Sequence, residues 1–168
     1  MLKETFQSCI EQGYQRIPLV REVLADLDTP LSTYLKLADG AYSYLFESVQ
    51  GGDKWGRYSI IGLPCQTRIQ INGNQIKEVC GQDVLQHQVA DDPLAWVEAY
   101  QNQFKVYEQP GMPVFSGGLV GYFGYDTVRY VEERLQKSTP ERDDIGAPDI
   151  ELMVSEELVV FDNLSGQV

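Results

Sequence analysis

Positive charge is scarce in this 168-residue chain: 13 lysines and arginines stand against 25 acidic residues, giving a net charge of −12. That balance argues against nucleic acid and against anionic membrane as partners. The acids are scattered, as at Asp91-Asp92, Glu132-Glu133 and Asp143-Asp144, and read as a solvated surface rather than a tail. Cysteine is scarce too. Cys9, Cys65 and Cys80 are odd in number, widely spaced and without a CxxC pair, which excludes a disulfide framework or zinc site and points to a reducing, cytoplasmic setting. The opening MLKETFQSCIEQG is amphipathic rather than basic-then-apolar, so no signal peptide is expected. No apolar run approaches the roughly 20 residues needed to span a bilayer. The single histidine, His87, lies in a polar stretch with no GxSxG or reactive-cysteine setting around it and reads as a surface residue. HExxH, His/Cys clusters and EF-hand loops are all missing, so no metal site is expected.

What remains is the composition of an ordinary globular protein, 43% hydrophobic and 23% charged, in a length that fits one domain. Phe6, Cys9 and Ile10 fall at helical spacing before Gly13, and Ile17–Val20 reads as a short extended segment. Thr29-Pro30 opens a helix whose apolar face is Leu31, Tyr34, Leu35 and Ala38. Strands are expected at Tyr42–Ser48, Tyr58–Leu63, Thr67–Asn72 and Asn74–Cys80, with Asn72-Gly73 as a hairpin turn. Residues 81–92 read as a polar connector. A helix follows from Pro93, with Leu94, Trp96, Val97, Tyr100 and Phe104 inward. Then come a turn-rich linker at Gln109–Pro113, a strand at Val114–Gly124, a helix at Asp126–Leu135 with Val128, Val131 and Leu135 inward, a mobile polar loop at Gln136–Pro148, and one strand over Ile150–Phe161. Together these predict an α+β fold, a largely antiparallel β-sheet with packed helices.

Two stretches invite a chemical reading. The glycines in Gly117-Gly118-Leu119-Val120-Gly121-Tyr122-Phe123-Gly124 suggest a phosphate loop, but the GK[ST] is missing and the spacing is GxxGxxG within an apolar strand. Close packing of another backbone or an aromatic ring suits them better. The second stretch is FESVQGGDKWGRYSIIG, Phe46–Gly62, where Glu47 and Ser48 end an apolar run and a glycine-rich turn carries Lys54 and Arg57. A carboxylate for an ammonium group, Arg or Lys for a carboxylate, and an apolar wall would hold a small zwitterion. An ordinary hairpin with charges at its tip is the alternative. No acid/base pair is evident, and no catalytic residue is assigned.

The ordered blocks IPLVRE, TPLSTYLKL, SYLFESVQGGDKWGRYSIIGL, FSGGLVGYFGYDTVRYVEE and PDIELMVSEELVVFDN resemble the N-terminal domain of anthranilate synthase component I, from about Phe6 to the end. The resemblance implies a full enzyme that turns chorismate and ammonia, delivered from glutamine by a partner amidotransferase, into anthranilate and pyruvate. It implies that the chorismate and Mg²⁺ sites belong to a C-terminal chorismate-binding domain, with no cofactor in residues 1–168, and that this region carries the feedback site for L-tryptophan. The family's LLES signature corresponds to Leu45-Phe46-Glu47-Ser48, with Phe46 where leucine is usual. Ser48 and then Glu47 are the leading effector-binding candidates, with Lys54, Arg57 and Tyr58 beside them. Aminodeoxychorismate synthase component I and a free-standing amino-acid-binding module remain alternatives. Because Asn163–Gly166 reads as a hairpin turn with Gln167-Val168 opening a return strand, the chain is expected to be a piece of a longer polypeptide with an apolar face for the domain that follows.

Overall fold

Glycine and asparagine make a hairpin turn one residue later than the Asn72-Gly73 that the sequence suggests. In the computed structural model, β3 (Thr67–Asn72) and β4 (Gln75–Cys80) pair antiparallel from Thr67↔Cys80 to Asn72↔Gln75, leaving Gly73-Asn74 as the loop. Gly73 takes φ +56°, which residues with a Cβ seldom adopt. The structure describes residues 3–24, 27–47, 57–113, 115–136, 143–163 and 168. The chain divides into two compact units, where its length suggested one. The first is Met1–Cys65, Phe104–Gly118 and Ser155–Val168, and the second is Gln66–Gln103 and Leu119–Val154.

The second unit is built on a five-stranded sheet of order β5-β4-β3-β7-β6, with β5 at Asp83–Val89, β6 at Gly118–Phe123 and β7 at Ile150–Ser155. Strand alternation sorts its residues. Ile69 and Ile71 of β3 lie opposite Leu152 and Ile150 of β7 and join Ile76 and Val97 in the core. Full burial of each such isoleucine contributes about 1.5–3 kcal/mol. On the opposite face Glu151 Oε1 accepts hydrogen bonds from Arg68 Nη1 at 2.8 Å and Gln70 Nε2 at 3.0 Å. Helix α3 (Pro93–Asn102) starts where expected, with Asp92 Oδ1 accepting from the Ala95 amide at 2.9 Å. It ends before Phe104, which is therefore not on its inward stripe.

Three expectations fail here. The connector at 81–92 contains β5, which pairs with β4 and is exposed along most of its length, including Val84, Leu85 and Val89. Within it, His87 Nε2 sits 2.9 Å from Gln75 Oε1 on the surface. The helix expected at 126–135 breaks into a 3-10 turn (Tyr125–Thr127), α4 (Val128–Val131) and α5 (Glu133–Gln136), and Val128, Val131 and Leu135 stay exposed. Tyr130 turns inward instead. Its hydroxyl donates to Asp149 Oδ2 at 2.7 Å, and burial, reinforced by that carboxylate, pushes its pKa well above the usual tyrosine range. The strand expected at Val114–Gly124 begins only at Gly118; Val114 lies outside the described residues, as do residues 137–142 of the predicted loop.

The close-packing reading of the glycine block is borne out. A Cβ on Gly121 would lie 1.9 Å from the Glu151 carbonyl oxygen, and one on Gly124 2.9 Å from that of Asp149. The glycines let β6 approach β7.

The first unit holds a three-stranded sheet of order β1-β2-β8, with β1 at Tyr44–Phe46, β2 at Tyr58–Gly62 and β8 at Leu158–Asp162. The single strand expected over Ile150–Phe161 is thus two. β7 pairs with β3 and β8 with β2, separated only by Glu156-Glu157. The registered pairs β1–β2, β2–β8, β3–β4, β3–β7 and β4–β5 are all antiparallel, and the fold is α+β. Two helices belong to this unit, α1 (Lys3–Glu11), which buries Cys9, and α2 (Pro30–Leu37). The inward side of α2 is Thr33, Tyr34 and the following Ala38, while Leu31 and Leu35 are 54% and 57% exposed, against expectation. Val23 and Val168 exchange backbone hydrogen bonds of 2.7 and 3.4 Å; the predicted turn at 164–166 lies outside the described residues.

Thr29 caps α2 reciprocally: Thr29 Oγ1 accepts from the Ser32 amide at 3.1 Å, and Ser32 Oγ from the Thr29 amide at 2.9 Å. Thr29→Ala is expected to cost about 1 kcal/mol, read as an earlier urea midpoint at unchanged slope.

Candidate functional site

The edge strand β1 carries the signature residues, and its alternation sends them two ways. Leu45 packs, partly buried, against the core of Ala38, Ile61 and Phe161. Tyr44 and Phe46 face the other side, ring centroids 4.8 Å apart and planes 37° apart, with Phe46 52% exposed. Phe46 pairs with Ile60 in β2, so Glu47 at the end of β1 and Arg57-Tyr58 at the start of β2 meet at one end of the sheet. Glu47 is exposed there. Ser48 and Lys54 lie outside the described residues.

Arg57 is already engaged. Its Nε lies 3.1 and 3.0 Å from the two Asp162 oxygens, its Nη2 2.6 Å from Oδ2, and its guanidinium sits 4.9 Å from the Tyr58 ring centroid. The hydrogen bonds to Asp162 raise its pKa further. Any ligand carboxylate at Arg57 would share it with Asp162, a residue that the sequence reading did not single out. The Asp162 partnership, made across 105 positions, has no local signal.

Tyr44 was also missed as a constrained residue. Its hydroxyl lies 2.7 Å from Ser155 Oγ, and the two residues are 8% and 2% exposed. Gly62, its register partner, lies under the ring: a Cβ there would fall 2.0 Å from Tyr44 Cε1. Burial raises the Tyr44 pKa against the opposing bond to Ser155, and raises that of the Cys65 thiol, whose Sγ–H donates to the Leu63 carbonyl at 3.4 Å. Both shifts are upward, so the Tyr44 hydroxyl and the Cys65 thiol stay protonated at neutral pH. The sheet end thus offers aromatic surface, one acid and a paired arginine, a set suited to recognising a small amphipathic molecule. Among the described residues no group of three or more His, Cys, Asp or Glu side chains is placed to hold a metal ion, and no helix is long and apolar enough to cross a membrane.

Comparison with known proteins supplies what geometry does not. No family model matches the chain. Anthranilate synthase component 1 of Pseudomonas putida is 57% identical to it over 169 aligned positions, covering 100% of the chain. The proteins of the same name from Pseudomonas aeruginosa and Neisseria meningitidis serogroup B are 56% and 52% identical, over 100% and 99% of it. The chain belongs to the anthranilate synthase component 1 family. It spans 34% of the length of these component 1 relatives. A solved structure of anthranilate synthase component I from Streptococcus pneumoniae TIGR4 aligns with 89% of this chain and 30% of its own, at 22% identity and a TM-score of 0.48. These relatives carry the anthranilate synthase name, not that of the aminodeoxychorismate alternative, and they are about three times longer than a free-standing module of this size would be.

Proposed function

We propose that this chain is the tryptophan-sensing, N-terminal part of a cytoplasmic anthranilate synthase component 1. The complete protein converts chorismate and ammonia, released from glutamine by an amidotransferase partner, into anthranilate and pyruvate. On this reading the chorismate and Mg²⁺ sites belong to the remaining two thirds of the protein, against which these residues pack, and residues 1–168 alone sense rather than catalyse. The observation that carries the reading is the Leu45-Phe46-Glu47-Ser48 signature followed by Arg57-Tyr58, within a chain that matches component 1 along its whole length. The exposed Phe46 ring and the exposed Glu47, consecutive in sequence, support it: an aromatic face suits an indole and an acid suits an α-ammonium. Inhibition then amounts to a coupling free energy, typically about 1–3 kcal/mol, between effector and substrate sites.

The test is a tryptophan titration of the full-length enzyme. Ser48→Phe is expected to raise the tryptophan concentration for half-inhibition by roughly 5- to 150-fold, as loss of a buried hydrogen bond would. An inhibition curve identical to that of the unmodified enzyme refutes the assignment.

A further inference from the structure

We infer that Tyr44, anchored on Ser155, is a positioning residue for effector recognition: it fixes the Phe46 ring and so sets how tightly the inhibitory amino acid binds. The inference rests on the effector reading of residues 45–48.

Three contacts leave Tyr44 one pose. Its ring lies against the bare backbone of Gly62, where even a methyl group would overlap it at 2.0–2.5 Å. The ring meets that of Phe46 at a 37° tilt, with 4.8 Å between centroids. The hydroxyl reaches Ser155 Oγ at 2.7 Å, across 111 positions of sequence. Ser155 is itself held: its carbonyl oxygen is approached so closely by Gly117 that a Cβ there would lie 3.0 Å away.

Filling space at this position needs only a phenyl ring. A hydroxyl buried with a single hydroxyl partner adds orientation, since the ring must point where that partner stands. The orientation passes to Phe46, whose ring is half exposed and is steered on this face by Tyr44. Tyr44 touches no ligand in this scheme; it acts through its neighbour.

The experiment uses the full-length enzyme, assayed with chorismate and ammonia so that the amidotransferase is not needed. Tyr44→Phe, Ser155→Ala, the double variant and Ser48→Phe are titrated with tryptophan side by side, and their melting temperatures are recorded. Tyr44→Phe and Ser155→Ala are each expected to raise the half-inhibitory concentration about 3- to 10-fold. Uninhibited kcat and the KM for chorismate should stay within about twofold, and the double variant should be no more resistant than either single one. A merely structural bond would lower the melting temperature without moving the inhibition curve. Wild-type sensitivity in both single variants, alongside resistance in Ser48→Phe, overturns the positioning role and leaves the effector site standing. Wild-type sensitivity in Ser48→Phe as well removes the effector assignment, and the positioning role with it.

Discussion

Gly121→Ala is expected to unfold the five-stranded unit. The added methyl carbon would lie 1.9 Å from the Glu151 carbonyl oxygen and 2.9 Å from both the Glu151 carbonyl carbon and Leu152 Cα. These are backbone atoms, with no rotamer to relieve the clash. Nor is β7 free to move aside, because its other edge pairs with β3 from Arg68↔Met153 to Ile71↔Ile150. Relief requires opening the β6–β7 seam, which uncovers Leu119 where it packs on the isoleucine core. The expected loss is about 3 kcal/mol or more, at the upper end of what a single methyl group does. Urea unfolding of the 168-residue chain measures it. A midpoint close to that of the unmodified chain would show that the two strands do not approach so closely.

Glu151→Ala is expected to cost nearly as much by an electrostatic route. The Arg68 side chain is 8% exposed, its Nη1 donates to Glu151 at 2.8 Å and its Nη2 to the Gly81 carbonyl at 3.0 Å. Removing the carboxylate strips a buried guanidinium of its counter-charge, a change worth about 3–5 kcal/mol in such pairs. Replacing both partners, as Arg68→Met with Glu151→Leu, should recover most of that loss, because no buried charge then remains. A double-mutant cycle in urea reads the difference. Additive single-variant costs would mean that the pair is solvated and contributes little.

The sequence carried the features that depend on neighbours in the chain. Asp92-Pro93 and Thr29-Pro30 start helices because an N-cap and a first-turn proline act locally, and Gly73 turns the chain because only its own φ matters. β5 was invisible for the opposite reason. An edge strand exposed on both faces has no alternation to display, so Val84, Leu85 and Val89 looked like residues in a polar connector. The division of residues 150–162 between two sheets was masked because Ser155-Glu156-Glu157 interrupts an apolar run no more sharply than a solvent-facing position would. At the candidate site, the order Leu45-Phe46-Glu47 was legible, but the side each residue faces was not until Ile61 and Ile60 were known to lie opposite Leu45 and Phe46. The partners of Arg57 and Tyr44, 105 and 111 positions away, could come only from the fold.

The division between β7 and β8 also sets a timetable. Arg57 and Asp162 are joined across 105 residues, and β2 lies between β1 and β8. At synthesis rates of about 5–20 residues per second, β2 leaves the ribosome roughly 5–20 s before its second neighbour exists. For that interval Tyr58–Gly62 carries two isoleucines on a strand with one open edge. Contacts of this span slow folding because the loop must close before they form. Within these residues, the strand that adjoins the proposed effector site therefore waits longest for its second neighbour, and nascent chains are open to mispairing at Tyr58–Gly62.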